Sequence, residues 1–367
     1  MPGRSFDVAV LGAGPAGLVA ALRLAERGDV ALVVDRFPRE DDPPRIDAVP
    51  ASFVALLVEL GIHPRTVGAE GVRDQRWVAW SARTPRIRRL APTVHLERPR
   101  LECALLEHVV RHPRIALFLS RAWNRADGLF WGDGWRAARL VDATGRAAVT
   151  ADTILRAAHP WAARSLWRSV GRDGRGPDFA LTALPEGYAY RITTRRAVVV
   201  GFVGRGAAVE GAPGNLEERL RSLDAAWMIA DLPPLASFHE GRASTASVQW
   251  AAPSSRSIRG PRPLRIGDAA LARDPLSSQG IATACSEALF VASVASDTDA
   301  DLFERRQAEQ RQIHLAALKR MVDASIFSRE SIWRDYAEFI TRHLDAPTGA
   351  PPVALREGKI VQLRANG

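Results

Sequence analysis

The chain has almost no lysine. Only Lys319 and Lys359 stand among its 50 basic residues; the other 48 are arginine, and the net charge is +9. The arginines never gather in a block of five or six. That argues against a nucleic-acid surface and leaves an acidic protein or peptide as the anionic partner to consider. A codon bias toward arginine accounts for the same surplus without any partner. Cysteine is also scarce, with Cys103 and Cys285 alone, too few for a disulfide framework or a zinc ribbon. A reducing compartment is expected. No run of about 18 apolar residues occurs, so no membrane span is expected either. Met1 to Leu11 mimics a short signal peptide but carries Asp7 and runs straight into a glycine turn. The expectation is a cytoplasmic protein. Internal repeats are absent as well.

What is present is an ordinary globular balance, 47% apolar and 25% charged, over 367 residues, enough for two packed domains. Phe6 to Leu11 reads as a buried strand, Pro15 to Arg27 as a helix closed by Gly28, and Val30 to Val34 as a second strand. Helices are expected at about Ser52 to Leu60 and Leu101 to Val110, and edge strands between Trp77 and Leu90. Ala137 to Val141 is a short strand before a Thr-Gly turn. Between about 150 and 255, short runs such as Ala197 to Val203 and Ser244 to Trp250 suggest an antiparallel sheet. From Leu264 a strand, a loop and a helix (about Gln279 to Ala295) return, and Leu302 to Leu344 is strongly helical. The pattern implies an α/β + β architecture. A Rossmann-like domain is built from 1–75, 97–150 and 256–300, a β-rich substrate domain from 76–96 and 151–255 is inserted, a helical region spans 301–346, and a tail 347–367.

Gly12-Ala13-Gly14-Pro15-Ala16-Gly17 follows the first strand and opens the first helix. A second strand then leads to Asp35, 21 residues after Gly14. That whole context, not the glycines alone, marks a dinucleotide loop. Gly12 permits the tight turn, Gly14 lets the backbone approach a pyrophosphate, and Gly17 lets helix and strand pack closely. Pro15 suits the first helical turn, where no amide is needed. The free amides and helix dipole then face the phosphates, while Asp35 accepts from ribose hydroxyls and Arg36 follows it. Ala21 and Gly28 extend the pattern in a way that resembles the glutathione-reductase-type FAD fingerprint.

Two later segments strengthen the resemblance. Arg139-Leu-Val-Asp-Ala-Thr-Gly-Arg146 looks like the second flavoprotein strand, with Ala143 and Gly145 beside the cofactor. Leu264-Arg-Ile-Gly-Asp-Ala-Ala-Leu-Ala-Arg-Asp-Pro-Leu-Ser-Ser-Gln-Gly-Ile281 resembles the Gly-Asp motif of para-hydroxybenzoate-hydroxylase-like flavoproteins. The resemblance implies that Gly267 and Asp268 hold the ribityl region. Arg98, before a helix, matches the family arginine beside the flavin phosphates. Pro275 fixes a loop, and Gln279, Gly280 and Ile281 begin a helix whose amides stabilise charge on a reduced flavin. FAD is the expected cofactor, with O₂ as co-substrate. Electrons come from NAD(P)H or an external flavin reductase, since only one dinucleotide loop is visible.

Arg45 to Gly61 is similar to a segment of tryptophan halogenases, with Asp47 in place of their glutamate. Asp-Pro-Leu-Ser-Ser-Gln-Gly together with Pro185-Glu-Gly-Tyr-Ala-Tyr-Arg191 is most similar to a different subgroup. Its members mature lysine-ε-oxidase, glycine oxidase and quinohemoprotein amine dehydrogenase by hydroxylating a tryptophan of another polypeptide. The resemblance implies a monooxygenase acting through a flavin C4a-hydroperoxide on an electron-rich ring, above all a peptide or protein tryptophan. Three alternatives stay open: hydroxylation of a free or carrier-bound aromatic, a geranylgeranyl-reductase-like reduction, and a silent flavin-binding escort. A halogenase is disfavoured, because it needs an early cavity lysine and none precedes residue 319.

Asp47 and Tyr190 are the candidates for orienting substrate or moving protons. Among ten tryptophans, Trp77, Trp80 and Trp250, with Tyr188, are candidates for the substrate side. Ordinary packing accounts for most of the others. His108 and His112 suit a helix C-terminus better than a metal, and no metal site is expected. Cys103 and Cys285 read as small buried residues.

Overall fold

A computed structural model describes residues 3–69, 71–120, 122–126, 129–169, 176–205, 213–241, 243–252, 262–294, 296–344, 353–356 and 359–362. The opening apolar run forms β1 (Arg4–Leu11), the centre of a seven-stranded sheet. β1 lies parallel to β2 (Val30–Val34) on one side and β9 (Trp135–Asp142) on the other. β6 (Ile115–Leu119) extends the sheet beyond β2. β7 (Asn124–Ala126) and β8 (Leu129–Gly132) form an antiparallel meander with β9. The strand expected from Leu264 is the two-residue β18 (Leu264–Arg265), parallel to the end of β9. Helices α1 (Pro15–Ala25), α3 (Arg98–Arg111) and α6 (Gly280–Val291) bury their apolar faces on one side of this sheet. The β7–β9 meander packs Phe130 and Trp135 with Phe6 on the other.

A nine-stranded sheet stands beside it, in the order β15-β11-β14-β13-β12-β4-β5-β3, with β16 on β11. Its core is β11 (Ala162–Ser169), β12 (Phe179–Leu184), β13 (Gly187–Thr193) and β14 (Ala197–Gly204). β4 (Arg73–Ala79), β5 (Arg86–Glu97) and β3 (Ile46–Pro50) continue it, and β15 (His239–Glu240) and β16 (Ser244–Thr245) edge it. All these pairings are antiparallel except β4 with β12, where two distant chain segments meet in parallel. The sheet thus draws β3 from a stretch the sequence assigns to the nucleotide-binding part.

Ser244 to Trp250 is not one strand. The Arg146 guanidinium takes the carbonyls of Ser247 and Ala246, at 2.8 and 2.9 Å, so that backbone is unavailable to a ladder. β17 (Gln249–Ala251) pairs separately with β10 (Ile154–Arg156). One face of the large sheet is closed by α4 (Pro213–Ser222) and the turns after it. The other faces the cavity and two C-terminal helices, α7 (Asp297–Asp323) and α8 (Ser331–Arg342), into which the expected helical stretch divides. Two further helices are short, α2 (Phe53–Glu59) early in the chain and α5 (Asp268–Leu271) after β18. The tail expected at 347–367 falls outside the described residues, apart from the hairpin β19 (Val353–Arg356) and β20 (Lys359–Gln362). No described helix is long and apolar enough to cross a membrane.

Candidate functional site

A cavity of about 950 Å³ runs from the first glycine turn to the large sheet. Its nucleotide end is made of backbone. Gly12 has φ +103, and a Cβ there would stand 2.5 Å from the Ala143 carbonyl oxygen. A Cβ at Gly17 would lie 2.0 Å from the Gly12 oxygen, so these two glycines close the turn on itself. Gly14, Gly145 and Gly280 differ. Each lines the cavity, and a Cβ at any of them would meet nothing within 4 Å. Three bare glycines around open space form a cradle with room for a flat, phosphate-bearing group. Helix α1 begins at Gly14 without a side-chain cap or an acidic residue in its first turn, and α6 likewise begins uncapped at Gln279. Both leave N–H donors directed outward, as an anion or an electron-rich ring requires. On these grounds the residues fit FAD.

The structure brings Gly14, Pro15, Ala16, Arg98, Ala143, Gly145, Asp268, Pro275, Gln279, Gly280 and Ile281 to the cavity wall. Gly12, Ala13 and Gly17 stand behind the turn, outside the lining. Asp35 follows β2 and is exposed, and Arg36 pairs with Asp42 at 3.1 Å. Gly267 is a correction. Its N–H donates to Glu287 Oε2 at 2.7 Å, and a Cβ would meet Ala16 and Ala284 at 3.1 and 3.2 Å. It brings α1 and α6 together and does not itself line the cavity. Burial pushes the Glu287 carboxyl up to about 7.

Pairing of β3 with β5 sets Asp47 beside the start of α3, where Arg98 begins. Arg98 donates to both Asp47 oxygens, at 2.9 and 2.6 Å. Burial opposes the Arg98 charge, but Asp47 outweighs it and holds the guanidinium firmly protonated. Asp47 is therefore a counter-ion, with both oxygens engaged, rather than a free base. Arg45 and Glu102 complete the cluster; Arg98 lowers the Arg45 pKa, and burial raises that of Glu102. Tyr190 is pushed up to about 12, by burial first and Asp47 second. Its ring lies over Gly201, where a Cβ would sit 2.2 Å from the ring. Among the described residues its hydroxyl has no hydrogen-bond partner, and it lines the cavity as a donor.

Strand alternation sorts the tryptophans. Arg76, Val78 and Trp80 line the cavity, while Trp77 turns to the opposite face and stacks on Trp227 at 6.4 Å. Trp250 is buried against Phe339 and His343, also outside the lining. The expectation for Trp77 and Trp250 is thus corrected, and Trp80 and Tyr188 remain at the wall. Cys103 is likewise only partly buried, whereas Cys285 is fully buried. Sequence reasoning missed the role of Asp274, which is 1% exposed. Its carboxylate accepts from the Tyr188 hydroxyl at 2.8 Å, the Tyr336 hydroxyl at 2.7 Å and the Leu276 amide at 2.9 Å. The Asp-Pro turn was visible, but the two distant tyrosines carry no local signal.

Residues 5–116 match the family model described as an FAD binding domain. Several solved structures are similar over nearly the whole chain. The myxobacterial chondrochloren halogenase CndH is 18% identical, with 91% of this chain and 86% of that one covered and a TM-score of 0.71. The peptidyl tryptophan dihydroxylase QhpG is 22% identical, with 98% and 86% covered and a TM-score of 0.62. PqsL of Pseudomonas aeruginosa, a probable FAD-dependent monooxygenase, is 16% identical, with 92% and 100% covered and a TM-score of 0.67. No curated protein matches by sequence. The chain thus resembles an FAD binding domain over residues 5–116 and has the α/β fold of these halogenases and monooxygenases.

Proposed function

We propose that this FAD-dependent oxidoreductase is a monooxygenase that hydroxylates an electron-rich aromatic ring, that of a tryptophan carried by a peptide or protein. The observation that carries the reading is one continuous cavity. Its glycine cradle opens onto a wall of Trp80, Phe179, Tyr188 and Tyr190 with Leu181, Ile192 and Val199 between them. Flat apolar rings are held by such walls, and the tyrosine hydroxyl supplies orientation. Among the described residues no lysine lines the cavity, which disfavours the halogenase alternative on the requirement stated above. The likeness to a peptidyl tryptophan dihydroxylase supports the choice of substrate.

Bound FAD, reduced by NAD(P)H or a flavin reductase, would activate O₂; one oxygen atom enters the ring and the other leaves as water. Gly14 to Ala16 and Arg98 would hold the diphosphate, Asp268 the ribityl hydroxyls, and the N-terminus of α6 the electron-rich edge of the ring system. Tyr190, protonated throughout the working pH range, donates a hydrogen bond to the substrate. Asp47 keeps Arg98 in place. Indole is nucleophilic enough to react without a strong base, in keeping with a wall that offers no free catalytic dyad.

The test is mass spectrometry of turnover mixtures containing either free tryptophan or a tryptophan-bearing polypeptide. Added oxygen on the polypeptide is expected. Oxygen on the free amino acid alone defeats the peptide reading, and a gain of two hydrogens in place of oxygen defeats the monooxygenase. Stopped-flow bleaching of the flavin by NADPH, with and without a reductase, identifies the electron donor.

A further inference from the structure

Two arginines of the cavity wall, Arg76 and Arg88, stand together with no carboxylate paired to either among the described residues. β4 and β5 set Arg76 and Arg88 directly opposite one another, and both line the cavity. Like charges opposed across a ladder destabilise it. Two other arginines of the hairpin have counter-ions, Arg73 with Asp178 and Arg83 with Asp224, while Arg86 and Arg89 lie exposed, outside the cavity lining. Among the described residues neither Arg76 nor Arg88 has an ion pair or a hydrogen bond from its side chain. Arg76 is fixed all the same. Its guanidinium lies 4.6 Å from the centre of the Phe179 ring, itself part of the wall. Burial lowers its pKa, and no neighbouring acid raises it back.

We propose that Arg76 and Arg88 form a carboxylate seat, so that the substrate presents an acidic group a short distance from the ring to be oxidised. Two guanidiniums on adjacent strands can each direct a planar pair of donors at one carboxylate. The bound anion removes the repulsion that the empty ladder carries. Phe179, Trp80 and Tyr190 take the ring while the arginines take the charge, which sets the register of the substrate in the cavity. The inference rests on the reading that an aromatic ring enters this chamber. The carboxylate has two sources: an acidic side chain next to a tryptophan in a polypeptide, or the acid group of a free aromatic acid.

Binding to the oxidised holoenzyme tests the seat without turnover. Flavin difference absorbance is titrated with two matched pairs: indole-3-acetate against indole-3-acetamide, and end-blocked Glu-Trp-Glu against Gln-Trp-Gln. We expect the acid of at least one pair to bind about tenfold more tightly than its amide. The pair that shows the preference names the source. In the double variant Arg76→Gln, Arg88→Gln, with FAD content retained, the preference falls below about twofold. Should that variant not fold, the wild-type salt dependence decides, since only the acid's affinity should weaken as salt rises. An absent preference in both pairs, a preference that survives the double variant, or acid binding insensitive to salt overturns the proposal. A lost hydroxylation with the charge preference intact would count against the monooxygenase reading alone.

Discussion

The two faces of the nine-stranded sheet treat arginine in opposite ways. On the face closed by α4, Arg191 is 1% exposed and forks onto Asp231, with the Met228 carbonyl at 2.9 Å and the Thr193 hydroxyl at 3.2 Å. On the cavity face, Arg76 lies across Phe179 and meets no acid. The buried cation has its counter-ion inside the fold; the half-buried one has an aromatic ring and the open cavity. The same division recurs in other residue types. Gly17 touches the Gly12 oxygen, whereas Gly14 faces open space. Trp77 stacks on Trp227, whereas Trp80 stands at the cavity. Glu287 accepts an internal amide, whereas Asp268 next to it lines the wall.

Each pair can be set against itself. Asp231→Ala leaves Arg191 charged and buried, and should cost about 4 kcal/mol in denaturant unfolding. Arg76→Ala, with no counter-ion to strand and only the Phe179 ring contact to lose, should stay within about 1 kcal/mol. Equal losses would erase the distinction. The next effect is a pH dependence. The folded Glu287 carboxyl is raised to about 7 from 4.5, so the folded state binds that proton more tightly than the unfolded chain. Stability should fall as pH rises through that window and level off above it. Glu287→Gln, which can still accept the Gly267 amide, should remove a fall on the order of 3 kcal/mol. An unchanged pH profile of melting would contradict this.

The glycine pair follows. Gly17→Ala should destabilise the apoprotein by about 2 kcal/mol, since its Cβ runs into backbone. Gly14 has φ −76, so Gly14→Val is unstrained there. It should lower FAD affinity about tenfold, while the apoprotein melts within a few degrees of wild type. Calorimetry of both forms separates the two. The smallest effect belongs to the half-exposed Trp77. Trp77→Ala should leave turnover within about twofold, whereas Trp80→Ala, which also loses the 2.7 Å bond to the Met321 carbonyl, should raise the substrate KM.

The nucleotide end was legible because its requirements are local. Gly12, Gly14, Gly17 and the strand before them lie within one βα unit, and the turn geometry dictates the residue types. The second and third segments were legible for the same reason: each carries its glycines beside a strand or a helix start. The substrate end was not. Whether Arg76 or Trp77 meets the cavity depends on a register of one residue, and only the pairing of β4 with β12 settles it. Asp47 looked like a base because its partner, Arg98, is brought to it by strand pairing across 51 residues. Ser244 to Trp250 read as a strand because nothing nearby announces that Arg146 takes its carbonyls.

Asp274 has a consequence in time. The loop before α6 is tethered by the Tyr336 hydroxyl, 62 residues later in the chain, and that oxygen also accepts the Val248 amide. At ribosomal rates of about 5–20 residues per second, roughly 3 to 12 seconds pass between synthesis of the carboxylate and of the hydroxyl that clasps it. Through that interval the first glycine turn and its strands have already been synthesised, but the loop that carries Asp274 lacks one of its two tyrosine anchors. Maturation of the cavity is therefore a late event, completed by a helix that lies far from the nucleotide loop in sequence.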